Sequence, residues 1–380
     1  MGIGMLLGTL CGAGASGSIP AILLNIPGTP SSVATTFDGF PMAQKGEAGR
    51  ALGLAIVASF FGGVASMVVL SLLAPPIAEF ALRFGAAEYF SLSIFGLVII
   101  ASVAGKSLLK GLIAGLIGFF CSTIGTDPIA GVDRFTFGQL SLLTGINLLP
   151  ALIGLFAVSQ VLKDAFEYDP SNKLQNSPHK VDIARPRFIE TLRNWRALLV
   201  GIVSGSVVGP VPGAGGSIAS LVAYDQARRF SRTPEKFGKG HGAGIVSVES
   251  ANNALLGGAL IPTLALGIPG EAATAVLLGG LMIQGVTPGP MLFESQSGII
   301  YGIFLAYLVA NFFMLIIMCL GIKLFVRVLL VPRKQLISAI IVFCFIGVYG
   351  VDGDVFNLYI MLAFGLLGYF LNRYGFGTAP

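Results

Sequence analysis

The sequence predicts an all-α polytopic membrane protein with about nine to eleven membrane-embedded segments. Hydrophobic residues make up 54% of the chain and charged residues 11%, whereas about a quarter of the residues in soluble domains are charged. Mean hydropathy is +0.86. Several charge-free runs reach the length of about 20 residues that a spanning helix needs. Prolines and glycines interrupt some of these runs, which predicts two sequence-related halves with broken helices and re-entrant hairpins.

The apolar runs can be placed in order along the chain. Those of spanning length cover residues 51–74, 135–162, 197–224, 250–270, 272–293 and 295–322. Shorter runs cover residues 89–105, 335–351 and 355–372.

A long polar segment, residues 163–196, divides the apolar sequence in two. We therefore predict a first membrane repeat over residues 1–162, a cytoplasmic linker, and a second membrane repeat over residues 197–380. Residues 225–239 form a second basic stretch. A single crossing by residues 197–224 would put the two basic stretches on opposite sides, which the positive-inside bias disfavours.

The middle of that run contains Gly-Pro-Val-Pro-Gly-Ala-Gly-Gly, residues 209–216, which is incompatible with a continuous helix. The pattern predicts a re-entrant hairpin, so that both basic stretches are cytoplasmic. A kinked, tilted crossing with weak charge bias is the alternative. The neighbouring glycines Gly201, Gly205, Gly209 and Gly213 recur every four residues, and this spacing indicates close helix packing.

An internal repeat connects the two halves. Residues 19–28 and 261–270 share the pattern IPxxxLxIPG, and Met-Ala-Gln at 42–44 corresponds to Met-Ile-Gln at 282–284. Such copies in corresponding places are typical of duplicated transporters. Whether the copies are inverted or parallel stays open.

Each repeated element breaks a helix inside an apolar run, because two prolines and a glycine follow in close succession. The helix that starts after a break directs free N–H groups at carboxylates, while the unwound carbonyls before it can bind cations. The candidate substrate-binding residues are Asn25, Pro27, Gly28, Thr29, Ser31, Ser32, Asp38, Thr263, Pro269 and Gly270. The candidate residues for cation coupling are Glu249, Ser250, Asn252 and Asn253.

Each candidate has a structural alternative. Ser and Thr in membrane helices commonly hydrogen-bond to their own backbone. Asp38 fits a plain turn residue before Gly39 and Pro41, and Glu249 fits the edge of the membrane. The pair Asn252 and Asn253 has no easy local explanation, because carboxamides are costly within an apolar run.

Other function classes lack their residues. Gly14-Ala15-Ser16-Gly17 fits the GxSG of intramembrane serine proteases, but His179 and His241 both lie outside apolar runs, so a base is missing. The four cysteines are isolated, which predicts neither a disulfide nor a metal site. A channel is disfavoured because paired broken helices suit alternating access. The net charge of +5 is spread over loops, so nucleic acid is not an expected partner.

Longer motifs resemble one family. Residues 17–53, GSIPAILLNIPGTPSSVATTFDGFPMAQKGEAGRALG, resemble the signature of the large membrane subunit of tripartite tricarboxylate transporters, the TctA family. Residues 212–224, 237–270 and 285–293 are similar to that family too. The resemblance implies a multi-pass protein of the bacterial inner membrane that imports carboxylates with a coupling cation, Na⁺ or H⁺, and no other cofactor. It also implies a periplasmic solute-binding protein and a small membrane subunit as partners.

One departure concerns the ends of the chain. Members of the family have a further membrane segment with a PGxGP-like loop before the signature, and further apolar sequence after the position of Gly377. We therefore expect the first repeat to be truncated at its N-terminus and the second at its C-terminus.

Overall fold

The structure is a computed structural model that describes residues 2–85, 87–88, 90–91, 94, 108–127, 131–166, 185–211, 215–328, 331 and 333–376. Most of the predicted run 89–105 lies outside the described residues. The same applies to the middle of the predicted linker, residues 167–184, and to residues 212–214.

The described helices follow one another with few other elements. In chain order they are α1 (Gly2–Ser16), α2 (Ser18–Leu24), α3 (Thr35–Gln44), α4 (Ala48–Ala81), α5 (Leu108–Ser122), α6 (Leu148–Leu152), α7 (Ser159–Phe166), α8 (Phe188–Arg193), α9 (Trp195–Val208), α10 (Gly215–Arg229), α11 (Gly242–Leu266), α12 (Ala272–Ile283), α13 (Pro290–Ser295), α14 (Ser297–Val328), α15 (Arg333–Asp352) and α16 (Val355–Arg373). A π-helical stretch, Ile153–Val158, joins α6 to α7. Short 3-10 turns cover Pro30–Ser32, Leu140–Leu142 and Pro234–Lys236, and a two-stranded antiparallel ribbon pairs β1 (Gly125–Thr126) with β2 (Asp133–Arg134).

The chain forms two compact units. The first consists of residues 1–84 and 172–330, and the second of residues 85–171 and 331–380. Each unit therefore combines segments from both predicted repeats. The boundaries of those repeats stay a prediction, because a division into compact units depends on packing and does not test a duplication in the sequence.

Helix α11 is the centre of the first unit. Every residue from Gly242 to Ala265 is buried, and α4, α9 and α10 pack around the helix. Glycines permit the close approach: a Cβ at Gly209 would lie 2.5 Å from the Leu255 carbonyl oxygen, and Cβ atoms at Gly201 and Gly205 would overlap the backbone of α11. The predicted packing role of these three glycines is confirmed, and Gly213 lies outside the described residues.

The second unit has a smaller core. Val158, Val348 and Met361 are its buried apolar centre, and α16 packs along α6, α7 and the π-helical stretch between them. A Cβ at Gly154 or Gly365 would overlap the opposite segment. Small residues again set the distance between packed helices.

The predicted fold class is confirmed. Among the described residues, four helices are long and apolar enough to cross a membrane: Gly2–Leu24, Ala48–Ala81, Ser297–Phe325 and Val355–Arg373. Shorter apolar helices cover Leu109–Ser122, Leu148–Lys163, Trp195–Val208, Ala272–Ile283 and Gln335–Gly350. The chain is a multi-pass, all-α membrane protein.

Some apolar runs are not single helices. In the run 135–162, helix begins only at Leu148, because Gly138 and Gly145 adopt left-handed φ angles of 74° and 81°. The run 272–293 is divided between α12 and α13 by a segment containing Gly285. Conversely, α4 continues through Pro75 and Pro76, although each proline removes a backbone donor and crowds the carbonyl one turn earlier.

The run 197–224 is a helical hairpin. Helix α9 ends at Val208, α10 begins at Gly215, and the two helices pack against each other. Their far ends, Trp195 and Phe230, line the same recess. The two basic stretches are therefore side by side, as a hairpin requires; its re-entrant position in the membrane stays a prediction.

Candidate functional site

The first proline-glycine break follows α2. The helix ends at Leu24, and Asn25 adopts a left-handed conformation with φ of 58°. The N–H of Ile26 donates to the Pro20 carbonyl at 3.4 Å. This closure is the usual one for a helix that ends in a left-handed residue, a position that Asn tolerates better than most non-glycine residues.

The second break has the same local structure at the corresponding residues. Helix α11 ends at Leu266, Gly267 is left-handed with φ of 72°, and the N–H of Ile268 donates to the Pro262 carbonyl at 3.2 Å. The shared pattern IPxxxLxIPG thus produces the same backbone turn twice. The predicted broken helices are confirmed.

The chain restarts in the same way after both breaks. The N–H of Thr29 donates to Ser32 Oγ at 3.0 Å, and that hydroxyl donates to the Thr29 carbonyl at 2.8 Å. The N–H of Glu271 donates to Thr274 Oγ1 at 3.1 Å, and the hydroxyl donates back at 2.9 Å. Equivalent backbones therefore present different groups, a neutral hydroxyl at position 29 and a carboxylate at position 271.

Glu271 is a residue that sequence analysis missed. Its Oε1 atom is buried and has no hydrogen-bond partner among the described residues. The repeat contained the signal, since Glu271 directly follows Pro269-Gly270 where Thr29 follows Pro27-Gly28. A buried carboxylate oxygen without a donor is costly unless a proton or a cation accompanies it.

The two breaks contact the described residues on either side of the turn between α9 and α10. On one side, Ser217 Oγ donates to the Pro30 carbonyl at 2.9 Å, and a Cβ at Gly216 would overlap the Ser31 side chain. On the other side, a Cβ at Gly270 would lie 2.6 Å from the Gly209 carbonyl oxygen. Three interrupted segments thus converge, and the helical turns that start at Pro30 and Gly215 meet with small side chains between them.

The candidate residues of the breaks differ in accessibility. Asn25, Pro27 and Gly28 are exposed, and Thr29 and Ser31 are partly buried. In the second break Pro269 is partly buried, and Gly270 and Thr263 are buried. The first break is the more open of the two.

The predicted coupling residues occupy the middle of α11. Glu249 is fully buried and accepts hydrogen bonds from Thr35 Oγ1 at 2.5 Å and Ser59 Oγ at 3.3 Å. Glu249 takes part in none of the ion pairs within the described part of the chain, which involve Arg50, Arg134 and Arg229. Glu249 therefore joins α3 and α4 to α11 through hydroxyl groups.

The two asparagines have different environments. Asn252 Nδ2 donates to the Gly14 carbonyl at 2.8 Å and so holds α1 against α11. Asn253 Nδ2 donates to the Glu249 carbonyl at 3.1 Å, while its Oδ1 is buried without a partner among the described residues. A free carboxamide oxygen is the kind of hard oxygen donor that binds alkali or alkaline-earth cations.

Asp38 lies inside helix α3 and is fully buried, so the turn alternative is wrong. Its Oδ1 accepts the backbone N–H groups of Gly240 and His241 at 2.8 Å and 2.7 Å. Its Oδ2 accepts the Tyr224 hydroxyl at 2.9 Å. Both oxygens are therefore engaged with the segment that precedes α11 and with α10.

Two candidate hydroxyls bond to their own helix. Thr263 Oγ1 donates to the Ala259 carbonyl at 2.6 Å, and Ser250 Oγ donates to the Val246 carbonyl at 2.7 Å. This matches the structural alternative for Ser and Thr in membrane helices. Their predicted ligand roles stay predictions.

Comparisons with known proteins identify relatives of the whole chain. The model of the family described as "Tripartite tricarboxylate transporter TctA family" matches residues 1–380. An Agrobacterium vitis protein described as "Uncharacterized 52.8 kDa protein in TAR-I ttuC' 3'region" is 38% identical over 381 residues, 99% of this chain and 74% of that protein. Another from the same organism, "Uncharacterized protein in TAR-II ttuC' 3'region", is 37% identical over 176 residues, 46% of this chain and 73% of that protein. No solved structure matches the chain.

Proposed function

Because the chain belongs to the tripartite tricarboxylate transporter TctA family, we propose that it imports tricarboxylates or related carboxylate anions across the bacterial inner membrane. As a member of that family, the chain is a membrane subunit of a tricarboxylate transporter. We further propose that import is coupled to a cation gradient, that a periplasmic solute-binding protein delivers the substrate, and that a small membrane subunit is a partner. The transporter family also makes the enzyme alternative unattractive.

The proposed substrate site is the first break. Thr29 and Ser31 offer hydroxyl groups at the start of a helical turn, while the buried Ser32 hydroxyl holds the backbone of Thr29. The beginning of α10 lies against this turn through Ser217. Backbone N–H groups at helix starts favour carboxylates. The exposed residues Asn25, Pro27 and Gly28 leave this break open to a ligand. Thr263, Pro269 and Gly270 would face the same ligand from the second break, and Asp38 would position α3.

The proposed coupling site uses oxygen atoms that lack partners. Asn253 Oδ1 and Glu271 Oε1 are both buried and unpaired within the described part of the chain. The other candidates, Glu249, Ser250 and Asn252, lie on the same helix as Asn253, and carboxylate, hydroxyl and carboxamide groups of this kind suit Na⁺ or H⁺. A cation at a buried carboxylate would offset the cost of its burial.

The observation that carries the proposal is the convergence of both breaks on the turn between α9 and α10. Two segments with the same backbone turn but different first residues, Thr29 and Glu271, separate an anion-attracting position from a cation-attracting one. Discontinuous helices of this kind, in corresponding places of two repeats, are typical of alternating-access carriers. We therefore propose that the internal repeat is functional and that the chain works as a carrier and not as a channel.

The test is counterflow of a labelled carboxylate that the solute-binding protein binds, such as citrate, in proteoliposomes that contain the chain with its small membrane subunit and with the solute-binding protein present. A carrier accelerates uptake of label when unlabelled citrate is present on the far side, whereas a channel does not. Asn253→Ala should lower cation-dependent citrate exchange by about tenfold or more, the equivalent of about 1.4 kcal/mol. Ser247→Ala is the matched control, because its hydroxyl is buried in the same helix and donates only to the Gly244 carbonyl at 3.0 Å.

The carrier proposal and the coupling assignment are tested by different outcomes. Absence of counterflow in the wild type refutes the carrier proposal. Normal cation dependence in Asn253→Ala and in Glu271→Gln, with exchange intact, refutes the coupling assignment and leaves the carrier proposal standing. Glu271→Thr copies the residue of the first break and should raise the cation concentration needed for half-maximal exchange.

A further inference from the structure

A basic recess of about 370 Å³ opens between the start of α9 and the end of α10. We define it by Arg193, Trp195, Arg196, Phe230, Arg232 and His241, which line it. Both predicted basic stretches contribute to it, because the α9–α10 hairpin brings residues 193–197 next to residues 227–233. It is separate from both proline-glycine breaks, which lie at the opposite end of the hairpin.

The charge of the basic recess is uncompensated. Three arginines line it, and its lining contains neither Asp nor Glu. The ion pairs among the described residues involve Arg50, Arg134 and Arg229 and none of these three arginines. Burial lowers the pKa of the His241 imidazole below its ordinary value, so the arginines supply the positive charge. Such a recess favours a compact anion.

The surroundings of the basic recess are those of a membrane surface. Trp195 and Phe230 at its edge are 54% and 65% exposed, and amphipathic aromatic residues are enriched at the level of lipid head groups. Ile189 and Leu192 on the adjacent α8 are also exposed, at 72% and 50%. From Ala197 onward the hairpin carries no charge until Asp225. The arginines thus mark the boundary between apolar helices and polar loops.

We propose that the basic recess binds the phosphodiester head group of an anionic phospholipid from the surrounding bilayer. Arginine forks match phosphate oxygens, and the exposed apolar residues beside the recess suit the acyl chains of the same molecule. A soluble anion would use the same arginines but would gain nothing from Trp195, Phe230 and Leu192. The lipid is therefore the ligand that uses both features of the recess.

The test uses Trp195, the single tryptophan of the chain, as a fluorescent reporter inside the recess. The protein is reconstituted in vesicles of phosphatidylcholine with a minor fraction of phosphatidylglycerol. The bromine-labelled acyl chains are carried either by the phosphatidylglycerol or, at the same bromine content, by the phosphatidylcholine. Trp195 should be quenched more strongly when the anionic lipid carries the bromine. Each arginine should contribute about fivefold to the relative affinity for that lipid.

Matched variants decide the assignment. Arg193→Gln with Arg232→Gln should lower the preference about 25-fold and leave Trp195 next to Arg196, whose guanidinium lies 5.5 Å from the indole centre. Arg228→Gln with Arg229→Gln removes the same formal charge at the end of α10, from two residues that do not line the recess, and should retain the preference. Gel filtration and circular dichroism confirm that each variant is folded.

Three results would overturn the proposal. They are equal quenching by both brominated lipids in the wild type, an unchanged preference in the Arg193 and Arg232 double variant, and an equal loss in the Arg228 and Arg229 control. Inorganic phosphate distinguishes the sources of the anion: it should leave the lipid preference intact. Displacement of the lipid by phosphate would instead assign the recess to a soluble anion.

Discussion

Removal of the Asp38 carboxylate should destabilise the first unit strongly. This side chain accepts hydrogen bonds from the N–H groups of Gly240 and His241 and from the Tyr224 hydroxyl. Hydrogen bonds to a charged group contribute about 1.5–3 kcal/mol each. Asp38→Ala leaves all three donors without their acceptor, so we expect a loss of about 4 kcal/mol or more even after the carboxylate's own desolvation cost is recovered.

Two further variants should destabilise the first unit less than Asp38→Ala does. Tyr224→Phe removes one of the three bonds and should cost about 1.5–3 kcal/mol. Asp38→Asn retains an acceptor oxygen on the side of Gly240 and His241, where both backbone donors converge, and turns its amide towards Tyr224. Its cost should therefore be well below that of Asp38→Ala. For a unit of this size about 1 kcal/mol corresponds to about 2–4 °C in Tm, so Asp38→Ala should lower Tm by about 8–16 °C.

The assay is thermal unfolding in detergent, followed with a maleimide dye that fluoresces on reaction with cysteine. Cys121, Cys319 and Cys344 are only partly buried, so they are replaced by Ser in the parent protein and in every variant. Cys11 is 1% exposed, and its reaction then reports the loss of packing around α1. The reasoning is wrong if Asp38→Ala unfolds within about 2 °C of the wild type, or if Asp38→Asn and Asp38→Ala are equally destabilised.

Two other substitutions test the breaks by the same thermal assay. Gly270→Ala should cost about 1–3 kcal/mol, because its Cβ would lie 2.6 Å from the Gly209 carbonyl oxygen. Gly302→Ala is the control and should be neutral, because no atom lies within 4 Å of its Cβ. Equal Tm values for the two variants would contradict the close packing at Gly270. Asn25→Val should cost about 1–2 kcal/mol, since φ at this residue is 58° and strains a β-branched side chain. Asn25→Gly should be at least as stable as the wild type, and a lower Tm than that of Asn25→Val would count against the left-handed turn.

The backbone breaks of the site could be predicted from the sequence better than its side-chain contacts could. The breaks at Asn25 and Gly267 could be predicted because proline and glycine act locally, through a missing donor and an allowed φ. The partners of Asp38 could not, since Gly240 lies about two hundred positions away and only packing brings it near. Thr35 and Ser59 around Glu249 are hidden for the same reason. Glu271 could have been found, because the repeat register aligns it with Thr29.

In the fold, too, some features could be predicted from the sequence and others could not. Composition predicted the helices, and the four-residue glycine spacing predicted the face of α9 that meets α11. Helix ends were harder to predict, as at Leu148, because left-handed glycines and short turns divide charge-free runs that hydropathy treats as uniform. A charge-free run therefore indicates that a segment prefers lipid to water. Its backbone conformation depends on individual residues within the run.

The complete burial of α11 constrains how the protein is made. A segment with Glu249, Asn252 and Asn253 near its middle is a poor substrate for insertion into lipid by itself. Its hydroxyl and carbonyl partners are on α1, α3 and α4, and its glycine-lined neighbours are α4 and α9. These helices are all synthesised before α11, whereas α12 and α13, which also pack against it, follow. We therefore expect this helix to enter the bilayer by packing against helices that are already inserted, and not by partitioning into lipid on its own.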